Sequence, residues 1–190
     1  EALTTGTENV CVGNASASSL TEGTQNVSLG KNSGVGTTAS YNVSVGYQAG
    51  NVLTTGGNNT AVGYRALYKL ITGYENVAMG VDAAHEILGI KNVAIGRNCL
   101  SQATSQNYST GIGWKAGYDA TSGDRNIFIG LESGMTGSPG GSITTESNQI
   151  CLGDDNATNA HIQIDWTIAS DKRDKTDVEP LDLGLDFINK

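Results

Sequence analysis

The sequence predicts an all-β chain, a β-solenoid of about nine coils of ~17 residues followed by a short strand and the start of an α-helix. Three observations carry this. The pattern Asn, apolar, small, apolar, Gly recurs nine times; its closing glycines lie 17, 16, 17, 17, 16, 17, 17 and 23 residues apart; and within each copy side-chain character alternates with period two. Regularly spaced Val, Ile and Leu separate the chain from a disordered Gly/Ser/Thr tract, although only 37% of it is hydrophobic and 26 residues are glycine.

The copies are NVCVG (9–13), NVSLG (26–30), NVSVG (42–46), NTAVG (59–63), NVAMG (76–80), NVAIG (92–96), STGIG (109–113), NIFIG (126–130) and QICLG (149–153). The repeat residues are Asn26, Asn42, Asn59, Asn76, Asn92 and Asn126, closed by Gly30, Gly46, Gly63, Gly80, Gly96 and Gly130. Period two makes each copy a short strand with its two apolar side chains on one face. The middle residue (Ser28, Ser44, Ala61, Ala78, Ala94) is small, so the second face is expected to pack closely on a neighbouring chain, with Phe128 marking a local widening or a change of partner. Glycine then supplies positive φ or room for close backbone approach and ends the strand in a corner. A small residue follows three positions on (Ser16, Ser33, Ala49, Ala66, Ala83, Cys99, Ala116, Ser133), and an apolar or small one stands six before the next Asn (Leu20, Leu53, Leu70, Ala103, Ala120). Each repeat thus supplies one or two strands and two corners, with length changes confined to the return loop.

Coils stacked at roughly 4.8 Å would make a rod roughly 40 Å long. Its interior is thin for one chain, and three chains packed on their small-residue faces would remedy this. The repeats resemble the head repeat of trimeric autotransporter adhesins and, through NTAVGYRAL (59–67), the arrays of phage tail fibres; the resemblance covers roughly residues 5–157. It implies a stacked homotrimeric solenoid.

Residues 1–157 therefore form the shaft and 158–169 a connecting strand, in which Ile162, Ile164, Trp166 and Ile168 alternate. Composition then changes abruptly: positions 171–179 hold seven charged residues, against twenty in the 170 before them. Pro180 suits a helix start, and Leu181, Leu185 and Ile188 share a helical face. On spacing alone Ser170-Asp171 reads as a helix cap and the charges as a solvated face. SDKRDKTDVEPLDLGLDFINK (170–190) resembles the opening of the intramolecular chaperone domain that ends many phage tail spikes and fibres. The resemblance implies trimer assembly followed by self-cleavage, with Ser170 as nucleophile, Lys175 as base and Asp171 adjacent; a Ser hydroxyl needs such a base, and a Lys of lowered pKa can serve. The chain begins without Met and stops in a helix-like segment, so it is expected to be a fragment.

The net charge of −8 and the lack of a basic cluster argue against nucleic acid as partner. Neither an apolar run of spanning length nor a signal-peptide pattern is present, so no membrane insertion is expected. Cys11, Cys99 and Cys151 lie far apart with no metal-ligand spacing, and read as small buried residues in a reducing compartment. Asp154, Asp155 and Asn156 are too few for a hard-cation loop; no metal or cofactor is expected. His85 and His161 read as structural, and the Asn-x-Ser/Thr sequons, as at Asn26 and Asn42, follow from the repeat consensus.

The residue after each glycine forms a column along the rod. Tyr47 is expected to stack on Tyr64 and Arg97 on Trp114, either as a platform for sugar rings or as ladder stacking between coils. The combined expectation is a structural and host-recognition segment of a phage tail fibre or spike, made in the host cytoplasm, carried on the virion and directed at a cell-surface glycan or protein receptor. The alternatives are a bacterial trimeric adhesin head and, less favoured, a glycan-degrading spike. The repeats offer no recurring carboxylate pair, and Glu132 or Asp155 would need partners from other chains. Self-cleavage is then the one reaction expected.

Overall fold

A computed structural model describes residues 5–34, 36–138 and 140–159. The chain divides into two units, Glu1–Thr158 and Asn159–Lys190; the expected connecting strand from residue 160 on, the charged run and the helix start lie outside the described residues.

Each pentapeptide forms one three-residue strand: β1 (Val10–Val12), β2 (Val27–Leu29), β3 (Val43–Val45), β4 (Thr60–Val62), β5 (Val77–Met79), β6 (Val93–Ile95), β7 (Thr110–Ile112), β8 (Ile127–Ile129) and β9 (Ile150–Leu152). All pair in parallel in chain order, forming one nine-stranded sheet, the β-solenoid expected. Register is kept in phase, with Val43 opposite Thr60, Ser44 opposite Ala61 and Val45 opposite Val62. Among the described residues each coil has one strand, because the rest of the turn is built from corners.

The corners have a simple code. Gly63 has φ +132°, and a Cβ on it would lie 2.4 Å from the carbonyl oxygen of Gly80 in the next coil. Both anticipated reasons for the glycine therefore hold together. Further positions in each coil adopt left-handed backbone, many with ordinary side chains: in the fourth coil Arg65 and Leu67 after Gly63, and Glu75 before Asn76. Backbone bonds from coil to coil continue through these corners, as from Arg65 N–H to Tyr47 O at 2.9 Å.

The faces of the strands are reversed from the sequence expectation. Ser28, Ser44, Ala61, Ala78 and Ala94 are buried inside their own coil rather than against a sister chain, while the flanking apolar residues stand half-buried or exposed outside. The cause is the narrow cross-section. A Cβ on Gly50 would come within 2.7 Å of Ser44 Oγ, so a strand side chain larger than Ser or Ala has no room there. The remaining interior is filled from the other walls by Leu53, Leu67, Leu70, Ile87 and Leu100, with Ala49, Ala66, Ala83, Cys99 and Ala116 at the small-residue slot.

Phe128 does not mark a change of partner; it is completely buried in the same interior. Its strand neighbour is Gly111, and Gly117 and Gly134 flank the ring so closely that a Cβ on either would lie 2.7 or 2.4 Å from it. Three glycines make the space that one large side chain fills. Cys99 and Cys151 are buried as expected, but Cys11 is exposed, because β1 is an edge strand with a neighbouring coil on one side only.

Candidate functional site

The repeated Asn is a buried ladder. Asn42 Oδ1 accepts from the backbone N–H and Nδ2 of Asn59 at 2.9 and 3.1 Å, and Asn59 Nδ2 also donates to Gly73 O at 2.9 Å. The same arrangement links Asn26 to Asn42, Asn59 to Asn76 and Asn76 to Asn92. Ser109 then replaces Asn, and its Oγ accepts from Asn126 N–H at 3.2 Å. Asn26 and Asn42 spend their amides inside the coil, so those two sequons present no acceptor for a glycan.

Outside, one column on the strands is apolar and the neighbouring column, after the glycines, mixes apolar and aromatic residues with Asn14, Lys31 and Arg97. On the strands, Val10, Val12, Met79, Ile95, Ile112, Ile129, Ile150 and Leu152 are exposed; beside them, after each glycine, so are Tyr47, Tyr64, Val81, Trp114 and Leu131. The aromatic pair is present, with Tyr47 and Tyr64 ring centroids 5.4 Å apart and their planes within 10°. Arg65 Cζ lies 4.9 Å from the Tyr64 ring centre. Trp114 is different from expectation: the cation over it is Lys115 Nζ at 4.5 Å, not Arg97. Lys115 follows Trp114 directly in the same coil and has a left-handed backbone.

Charged side chains form ladders of their own. Arg65 Nε lies 2.8 Å from Asp82 Oδ1, Lys69 bonds Glu86, and Lys115 Nζ lies 3.5 Å from Glu132 Oε1, each pair joining equivalent positions of adjacent coils. Lys69, through its hydrogen bond, holds the Glu86 carboxyl below the usual carboxylate range, against an opposing effect of burial. Glu86 Oε1 is also 2.8 Å from His85 Nδ1, and the His85 ring stacks on Tyr68 at 5.0 Å and 10°. His85 is thus structural but not isolated; its equivalence to Tyr68, five residues after the closing glycine, was the available signal. Next to it a groove of about 600 Å³ opens over the following two coils.

Asn156 Nδ2 donates to Asp154 Oδ2 at 3.0 Å and to Asp155 Oδ1 at 2.9 Å, so the GDDN loop closes on itself. This bonding lowers the Asp154 carboxyl pKa. Ser170, Asp171 and Lys175 lie outside the described residues. Among the described residues no helix is long and apolar enough to cross a membrane. Compared with protein-family models, curated proteins and solved structures, the chain has no match in any of the three.

Proposed function

We propose that the chain is the shaft of a homotrimeric fibre, the distal part of a phage tail fibre or spike, assembled by a C-terminal chaperone segment that cuts itself off at Ser170 with Lys175 as base. One observation carries the trimer: the continuous apolar stripe on the outer strand face, where Ile95, Ile112 and Ile129 follow one another in register and each is more than a third exposed. Contiguous exposed apolar surface is a mark of an interaction site. A second and third copy carry the same stripe at the same axial spacing, so a cyclic arrangement matches every coil to its equivalents and leaves no stripe uncovered. The contact surface is thus the large-residue face, not the small-residue face the sequence suggested. The assembled shaft presents its charged and aromatic ladders to a host-surface receptor.

Light scattering on the native chain tests this. The expected mass is three times that of the single chain, 19.6 kDa uncut or correspondingly less once the C-terminal segment is released, falling to the single-chain value in an Ile95→Asp, Ile112→Asp double variant. A monodisperse 19.6 kDa wild-type particle that melts cooperatively would overturn the trimer. For the chaperone, the complete gene product is expected to run as two fragments under denaturing conditions and as one when Ser170 is replaced by Ala; cleavage that survives Ser170→Ala removes the Ser/Lys assignment.

A further inference from the structure

We infer that the groove beside His85 is a binding slot for one neutral pyranose ring, seated over Ser101 between the side chains of His85 and Tyr118. The fifth residue after each closing glycine forms a column, and its successive members are Tyr68, His85, Ser101 and Tyr118. The equivalence is fixed by the backbone: the residue just before each of these (Leu67, Ala84, Leu100, Gly117) has positive φ, between +47° and +63°. Tyr68 and His85 stack at 5.0 Å. One coil further on the ladder lacks a ring, because Ser101 stands there, largely buried as a floor.

His85 and Tyr118 are two coils apart, about 9.6 Å at the parallel-strand spacing. A ring at the level of Ser101 would lie about 5 Å from each, the spacing that Tyr68 and His85 already keep. The missing rung is therefore a ring-sized gap within an aromatic ladder, and the groove of about 600 Å³ opens there.

The rim decides which ring. The coil of Ser101 lends Asn98 and Gln102 to the groove lining, an amide–hydroxyl–amide set without charge, while the charged lining residues Arg65, Asp82 and Glu86 come from the two coils before it. Side-chain amides offer a donor and an acceptor side by side, which matches the vicinal hydroxyls round a pyranose, while the sugar's C–H faces lie against the flanking rings. Purely aromatic ligands would leave those amides unused. Anionic ligands are disfavoured because the neighbouring cations are already paired, Arg65 with Asp82 and Lys69 with Glu86, in a chain of net charge −8. The slot lies within one chain's coils, so it goes beyond the shaft reading and does not depend on it.

The test is saturation-transfer NMR and calorimetry on the native full chain with the methyl pyranosides of glucose, galactose, mannose and N-acetylglucosamine. At least one is expected to bind at millimolar concentration, with transfer strongest to its ring C–H protons. Ser101→Tyr adds the missing ring: it is expected to leave the melting temperature unchanged or raised and to weaken binding at least about tenfold, the loss of a single good contact set. Gln102→Ala, at an exposed position where folding is not at stake, is expected to weaken binding several-fold, and Tyr41→Ala, at a different column, to leave it unchanged. Failure of all four pyranosides to bind the wild type, or binding undiminished in both Ser101→Tyr and Gln102→Ala, overturns the assignment.

Discussion

Asn76 donates both its backbone N–H and its side-chain Nδ2 to one atom, Oδ1 of Asn59, at 3.0 and 3.2 Å. Asn59 in turn donates to Asn42 Oδ1 and Gly73 O, so a single buried amide satisfies groups on both neighbouring coils. Asn59→Ala would leave several buried polar groups unpaired, each costing about 1–3 kcal/mol. The expected loss, read by denaturant unfolding, is about 3 kcal/mol or more. Asn59→Ser should cost less, since Ser109 occupies the same slot and still accepts from Asn126 N–H.

Gly63 and Gly140 separate two consequences of a glycine. Both have positive φ, but a Cβ on Gly140 meets nothing within 4 Å, whereas on Gly63 it would meet the Gly80 carbonyl at 2.4 Å. Gly140→Ala is expected to cost only backbone strain, about 1–2 kcal/mol. Gly63→Ala adds a main-chain clash in the middle of the stack, and thermal melting should show a drop several-fold larger.

Phe128→Ala removes a wholly buried ring from a site lined by glycines that cannot collapse into the space. A loss of about 3–5 kcal/mol is expected from chemical denaturation, near the upper end of large-to-small core changes. Gly111→Ala should also destabilise, because its Cβ would lie 2.5 Å from Cys99 Sγ.

The three thiols should react unequally. Cys11 is exposed, though partial burial raises its thiol pKa too, whereas burial pushes the Cys99 thiol up to about 12. Iodoacetamide at mildly alkaline pH is expected to label Cys11 in the native chain and to reach Cys99 and Cys151 only on unfolding. The raised value also has a sign for stability: the contribution of Cys99 is complete below its ordinary pKa of 9.0 and is lost as pH rises from there toward about 12. Cys99→Ala should make that alkaline decline shallower.

The glutamate of the Lys69 ladder gives the opposite dependence. Because Glu86 has a lowered pKa, its contribution is present above the ordinary carboxylate range and lost as pH falls through the lowered value. Glu86→Gln is expected to flatten a small acid-side decline in melting temperature, small because the pair is partly exposed.

The stacking direction, the coil length and the corner glycines were legible in the sequence because every coil repeats the same local constraint, visible as Asn and Gly at fixed spacing. Which strand face points inward was not. Period-two alternation distinguishes two faces without saying which is inside, and the habit of turning large apolar residues inward fails when the coil admits only Ser44 or Ala61. The left-handed corners at Arg65 and Glu75 were illegible for another reason: stacking enforces them on residues of no particular type, and glycine marks only the nearby slot of Leu67, as Gly34, Gly50, Gly117 and Gly134. The gap at Ser101 has no signal in the sequence, since its column has no consensus and only the coil brings Tyr68 onto His85.

Every coil is bonded to its neighbours along the axis of the stack, and to nothing farther away within that sheet. Tension applied to the two ends would thus fall on one rung at a time, and the solenoid should unravel coil by coil in small force steps instead of snapping as a block. Shocks could then be absorbed by shedding and regaining single coils.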